Sequence, residues 1–138
     1  MNKTSMLTYS KVYENAMDVE ISEDIKEELS KMTKDGPILS IYAKNARALY
    51  FFPVTSSILR LSISIYPLTP EIVAKVMTKI SEFASKVIYS TGLCLMENKC
   101  LWEGFFQKKD LSKTAEEIKL ILKEIPEIKE IVLSEVNA

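Results

Sequence analysis

Residues 58–80, "ILRLSISIYPLTPEIVAKVMTKI", change hydrophobic period partway along. Up to Tyr66 apolar and polar residues alternate, the pattern of a half-buried strand. Leu59, Leu61, Ile63 and Ile65 share one face, and Arg60, Ser62, Ser64 and Tyr66 share the other. After Pro70 the apolar residues recur every three or four positions, the pattern of an amphipathic helix. Pro67 ends the strand because it cannot donate to a central ladder. Thr69 can cap the helix, with Pro70 at its first position, where a missing N–H costs nothing. Ile72, Val76, Ile80, Phe83 and Ala84 form the expected buried stripe, supported by Val73 and Val87. A chain with this joint must place a helix over a sheet.

The remaining elements follow from the same signals. Residues 1–20 have weak periodicity and form a strand or an arm. A helix is expected over 22–34, capped by Ser22, with Ile25, Leu29 and Met32 as its apolar stripe and "DGP" at 35–37 as its stop. Residues 38–54 read as a hairpin turning at Lys44-Asn45-Ala46, its second strand ending at Pro53. Residues 87–107 read as two strands around Glu97-Asn98-Lys99. Asp110, Ser112 or Thr114 caps the next helix, Thr114 and Glu117 having capping-box spacing; its stripe is Ala115, Ile118, Leu122 and Ile125, and a last strand follows Pro126.

From residue 58 the order is strand, helix, strand, strand, helix, strand, the ferredoxin-like βαββαβ arrangement. The expected fold class is therefore α+β: an antiparallel sheet in ferredoxin-like order over 58–134, preceded by an N-terminal helix and β-hairpin. Residues 47–52 also look like a natural neighbour for 58–66, which a central strand could not accept. A roadblock- or profilin-like meander sheet with flanking helices is the structural alternative. With 138 residues the chain reads as a single domain, 1–57 forming the N-terminal arm, helix and hairpin and 58–138 the βαββαβ unit.

Composition narrows the chemistry. There is no histidine, which removes Ser-His-Asp and Cys-His catalysis, histidine metal ligands and an imidazole switch. Two cysteines, Cys94 and Cys100, are too few for a cysteine-based zinc site. They flank the expected turn and could pair, although small buried thiols are the plainer reading. With 18 basic and 19 acidic residues there is no general pull toward nucleic acid or acidic lipid. The N-terminus resembles no secretory signal and no segment has the length of a membrane span, so a cytoplasmic location is expected. The charges of "EEIKLILKEIPEIKE" fit a solvated helix face.

The stretch "LSISIYPLTPEIVAKVMTKISEF", followed by "KVIYSTG", resembles an ACT domain, a small regulatory module that often binds amino acids. The likeness covers 58–134. It implies an effector near the loop between first strand and first helix, at a subunit interface; here that loop is Tyr66, Pro67, Leu68 and Thr69. The loop and the end of the helix lack the glycines usual in that family.

The expected function is thus a non-catalytic regulatory or small-ligand-binding domain sensing an amino-acid-like effector at a dimer interface. Arg60, Ser62, Ser64, Tyr66 and Thr69 are the candidate ligand-binding residues, Arg60 and Thr69 meeting the carboxylate. The plainer account of this polar face is a partly solvated sheet surface. No catalytic residue, metal or cofactor is expected. The expected partners are a second copy of the chain and a small molecule, without a membrane. Alternatives are a scaffold or assembly protein lacking a small-molecule site and, less favoured, a single-stranded nucleic-acid binder using the aromatics of "YFF" at 50–52 and "LWEGFF" at 101–106. Against the last, Glu103 stands where a basic residue would be wanted, and aromatics most often fill cores and interfaces.

Overall fold

Leu59, Leu61, Ile63 and Ile65, the alternating residues of the first stretch, are all buried on one side of a strand, β4 (Ile58–Ile65). The computed structural model describes residues 7–34 and 36–137. The expected arm over residues 1–6 and Asp35 of the expected helix stop lie outside them. The described residues are α+β, with two antiparallel sheets and three α-helices. They divide into two compact units, one ending at Ser57 and including Val136 and Asn137, the other spanning Ile58–Glu135.

The second unit contains β4, α2 (Pro70–Phe83), β5 (Tyr89–Met96), β6 (Lys99–Gln107), α3 (Ala115–Lys123) and β7 (Ile128–Glu135). Its sheet order is β5-β6-β4-β7, and every pairing is antiparallel. β4 is therefore central, with both edges hydrogen-bonded. Its buried face packs with Ile72, Val76, Ile80 and Phe83 of α2, Phe106 of β6 and Ile118 and Leu122 of α3. Full burial of each such side chain contributes about 1.5–3 kcal/mol. Phe83 and Phe106 meet as tilted rings with centroids 6.3 Å apart. The stripe is narrower than the sequence suggests: Val73 and Val87 are exposed, because one flanks the α2 stripe and the other lies in the loop after it. Thr69 Oγ1 accepts a hydrogen bond from the Ile72 N–H, with Pro70 opening the helix.

The other unit contains β1 (Thr8–Tyr13), a 3-10 turn at Ala16–Asp18, α1 (Glu23–Thr33), β2 (Ile38–Ala43) and β3 (Ala48–Pro53). Its strands are ordered β1-β2-β3. β3 pairs with β2, Ala43 opposite Ala48 and Ile38 opposite Pro53, and it is not a partner of β4. That removes the conflict between the hairpin and a central β4. The turn at 44–47 closes through Arg47 in the left-handed region, φ 52°. A small core of Ala16, Val19, Leu29 and Ile38 joins the turn, helix and sheet. Only Leu29 of the expected α1 stripe is buried; Ile25 and Met32 are exposed, since the helix seats one residue on this small core. Ser22 occupies the N-cap position without a side-chain cap hydrogen bond.

Two local details shape the second unit further. At Gly104 an added Cβ would collide with the Trp102 ring, so the indole occupies the space that any larger residue would need. At the start of α3 the Thr114 N–H donates to Glu117 Oε1 at 2.9 Å and the Glu117 N–H donates to Thr114 Oγ1 at 3.2 Å, a reciprocal capping box. These bonds from Thr114 hold the Glu117 carboxyl below its ordinary value of 4.5.

Gly104→Ala should cost roughly 1–3 kcal/mol in urea unfolding, and most of that cost should vanish in a Trp102→Leu background. An equal cost in both backgrounds would clear the indole of blame. A depressed carboxyl stabilises above its unfolded pKa, and that contribution fades as pH falls through the folded one. The stability advantage of the parent over Glu117→Gln should therefore be present at neutral pH and disappear on acidification below about 4.5, read as the difference in Tm.

Candidate functional site

The end of β4 continues into Tyr66, Pro67, Leu68 and Thr69, and backbone bonds tie this loop down on two sides. The Tyr66 N–H donates to the Glu127 carbonyl at 2.8 Å, just before β7. The Leu68 N–H donates to the Asn98 carbonyl at 2.8 Å, in the β5–β6 turn. The Tyr66–Pro67 peptide is cis. Asn98 takes a left-handed conformation, φ 61°, which asparagine tolerates better than most residues. Three segments distant in sequence thus converge at one end of the sheet.

Between them lies an open cleft of about 680 Å³. β4 and its loop contribute Ser64 and Tyr66, the hairpin contributes Met96, Glu97, Asn98 and Lys99, and β7 contributes Lys129 and Glu130. Ser64 and Glu130 are cross-strand partners on the sheet face opposite the helices. Lys129 Nζ donates to the Pro126 carbonyl at 3.1 Å, which anchors its ammonium group at the rim. Two ammonium groups, two carboxylates, two hydroxyls and an amide line the cleft, so its formal charge is balanced rather than of one sign.

The five sequence candidates separate in space. Ser64 and Tyr66 line this cleft, Tyr66 half exposed at 50%. Arg60 lies four residues back along β4, roughly 13 Å at strand rise, and pairs in register with Phe105 and Ser134. Ser62 Oγ donates to Glu103 Oε2 at 3.1 Å, and Glu103 is itself buried. Thr69 directs its hydroxyl oxygen to the α2 cap. Sequence reasoning did not bring Lys99, Lys129 and Glu130 to this place, because they reach it only through strand pairing. Three charges in loops or strand ends carry no local signal of convergence.

A second, apolar cleft of about 210 Å³ lies between α2 and the β5–β6 hairpin, lined by Leu68, Val73, Met77, Leu93 and Trp102 among others. Its wall includes Cys94 and Cys100, which are joined as a disulfide across directly paired positions of the hairpin. The reading of these residues as two unreactive thiols is thereby corrected: pairing across a two-residue turn sets their side chains side by side. Of the aromatics considered for base stacking, Tyr50 and Phe52 stack with ring centroids 6.4 Å apart in the first unit. Phe105 and Phe106 are fully buried, and Trp102 lies over Gly104 on the helix-facing side. Among the described residues no cluster of acidic or cysteine side chains could hold a metal ion, and no helix is long and apolar enough to cross a membrane.

Compared with models of protein families, with curated proteins and with solved structures, the chain finds no match.

The loop contact makes the hairpin tip a sensitive position. Asn98→Gly should leave stability nearly unchanged, whereas Asn98→Val should lose about 1–2 kcal/mol because a β-branched residue is strained at positive φ. Chemical denaturation of the two variants measures this, and equal stability would mean that the tip does not hold its left-handed turn in solution.

Proposed function

We propose that this chain is a non-catalytic regulatory or small-ligand-binding domain that senses an amino-acid-like zwitterion in the cleft at the end of β4. The observation that carries this reading is the pairing of two ammonium groups with two carboxylates around hydroxyls in one concavity of about 680 Å³. A zwitterion presents both charges a short distance apart, and such a lining can meet both. Lys99 and Lys129 are the partners for its carboxylate, Glu97 and Glu130 for its ammonium group, and Ser64 and Tyr66 for further polar atoms. Ligand sites commonly fall in this size range, with a few convergent polar groups fixing orientation.

The ACT-like, ferredoxin-like reading belongs to the same proposal. The sheet order β5-β6-β4-β7, with a helix after the first and third of its strands in chain order, supports it. So does the loop of Tyr66–Thr69 at the cleft rim, where the resemblance would put an effector. Assembly into a homodimer is part of the same reading.

One observation favours the scaffold alternative. Val73 and Met77 of α2 and Leu93, Leu95 and Met96 of β5 are exposed, and apolar surface of that kind suits a protein contact. In that case the chain is an assembly module, and the polar cleft is incidental.

Titration calorimetry against a panel of the common amino acids should give saturable heat with at least one of them. Lys99→Glu with Lys129→Glu should weaken that binding by about tenfold or more, a loss of roughly 1.4 kcal/mol. An absence of heat across the panel would overturn the zwitterion reading. Light scattering then bears on the alternative: a monomer that brings no protein with it counts against a scaffold.

A further inference from the structure

The disulfide sits where it does little for the fold and much for the cleft. Cys94 and Cys100 are six residues apart and are already opposed by the β5–β6 ladder, which pairs Tyr89 with Phe105 through Leu93 with Leu101. A bridge around so short a loop restricts the unfolded chain least, and here it closes a turn that the ladder closes anyway. Its position matters more than its ring. Immediately beyond it lie Met96, Glu97, Asn98 and Lys99, the hairpin's whole contribution to the polar cleft. The register shifts between Cys94 and Met96, so the ladder is irregular on the side of the bridge toward the tip. Past that point the Leu68 N–H to Asn98 carbonyl bond couples the tip to the β4–α2 loop.

We propose that Cys94–Cys100 is a reversible thiol–disulfide exchange site whose reduction loosens the hairpin tip and remodels the polar cleft. Cys94 is exposed while Cys100 is buried at 4%. Attack therefore comes at the Cys94 sulfur. A thiolate of a dithiol reductant forms a mixed disulfide with Cys94, the S–S bond breaks, and its electron pair goes to Cys100 Sγ, which takes a proton from water. The second thiol of the reductant then displaces Cys94 as a thiolate, which is protonated in turn. Two electrons and two protons pass to the protein, and the dithiol leaves as a cyclic disulfide. Oxidation runs the same steps backward with a disulfide oxidant. In the reduced form the irregular ladder and the bond to Leu68 hold Met96–Lys99 without the covalent clamp, so the groups at the cleft rim gain freedom. This proposal concerns the hairpin itself and does not depend on which molecule, if any, the cleft takes.

The test uses the folded chain, dithiothreitol as the reductant, and no ligand. In native buffer both cysteines should become open to alkylation after reduction, with the far-ultraviolet circular dichroism spectrum retained. Emission from Trp102, the one tryptophan, should rise as the neighbouring disulfide quencher is removed. Amide exchange at residues 96–99 and at Leu68 should accelerate by about tenfold, while that of β4 and α2 stays as it was. Diamide should restore the starting values, and Cys94→Ser with Cys100→Ser should match the reduced parent. The proposal is overturned if alkylation requires denaturant. It is equally overturned if the thiols fail to pair under diamide, or if reduction leaves exchange at 96–99 unchanged. Because thiol content and amide exchange are read without an amino acid, a failed binding titration leaves this result untouched, and the reverse also holds.

Discussion

The second unit depends on β4 being a central strand with one apolar face. β6 and β7 occupy its two edges, so its backbone is laddered on both sides, with one irregularity in the β7 register between Ser64 and Ile65. Its odd-numbered side chains supply the floor on which α2 and α3 pack. Loss of that face would leave both helices with their stripes unpartnered. Everything attached to β4 inherits its position, including the polar residues that alternate with the core ones and the loop that begins at Tyr66.

That inheritance explains why a cleft can form at the strand's end. A strand running straight into a helix must stop abruptly, and Pro67 and the Thr69 cap provide the stop within a few residues. The loop is then held by backbone bonds to Glu127 and Asn98, which bring the β7 start and the hairpin tip against it. Charged side chains on those two segments meet over the exposed end of the sheet rather than in its interior. The disulfide stands at the base of one of these segments, the hairpin that carries Glu97 and Lys99.

Local pattern was a good guide wherever a residue's role is decided by its near neighbours. The alternation of 58–65, the cap at Thr69, the capping box at Thr114 and the hairpin turn after Glu97 could each be read from a few adjacent residues. Patterns failed where burial depended on what lay opposite. The α1 stripe of Ile25, Leu29 and Met32 has helical spacing, yet the small core beneath it receives Leu29 alone. Of the five polar residues first grouped as a site, Ser64 and Tyr66 line the cleft, while Ser62 serves Glu103 and Thr69 serves its own helix. Alternation puts residues on one face, but a strand face is long, and a ligand spans only a small part of it.

From residue 22 onward the order of strands and α-helices was therefore legible in the sequence alone, because hydrophobic period, proline and capping residues act over distances of one to four positions. The separation of β3 and β4 into different sheets and the convergence of Lys99, Lys129 and Glu130 beside Tyr66 were decided only in the tertiary structure. Each depends on register between segments that no local pattern relates, and register is set by the packing of side chains over the whole sheet.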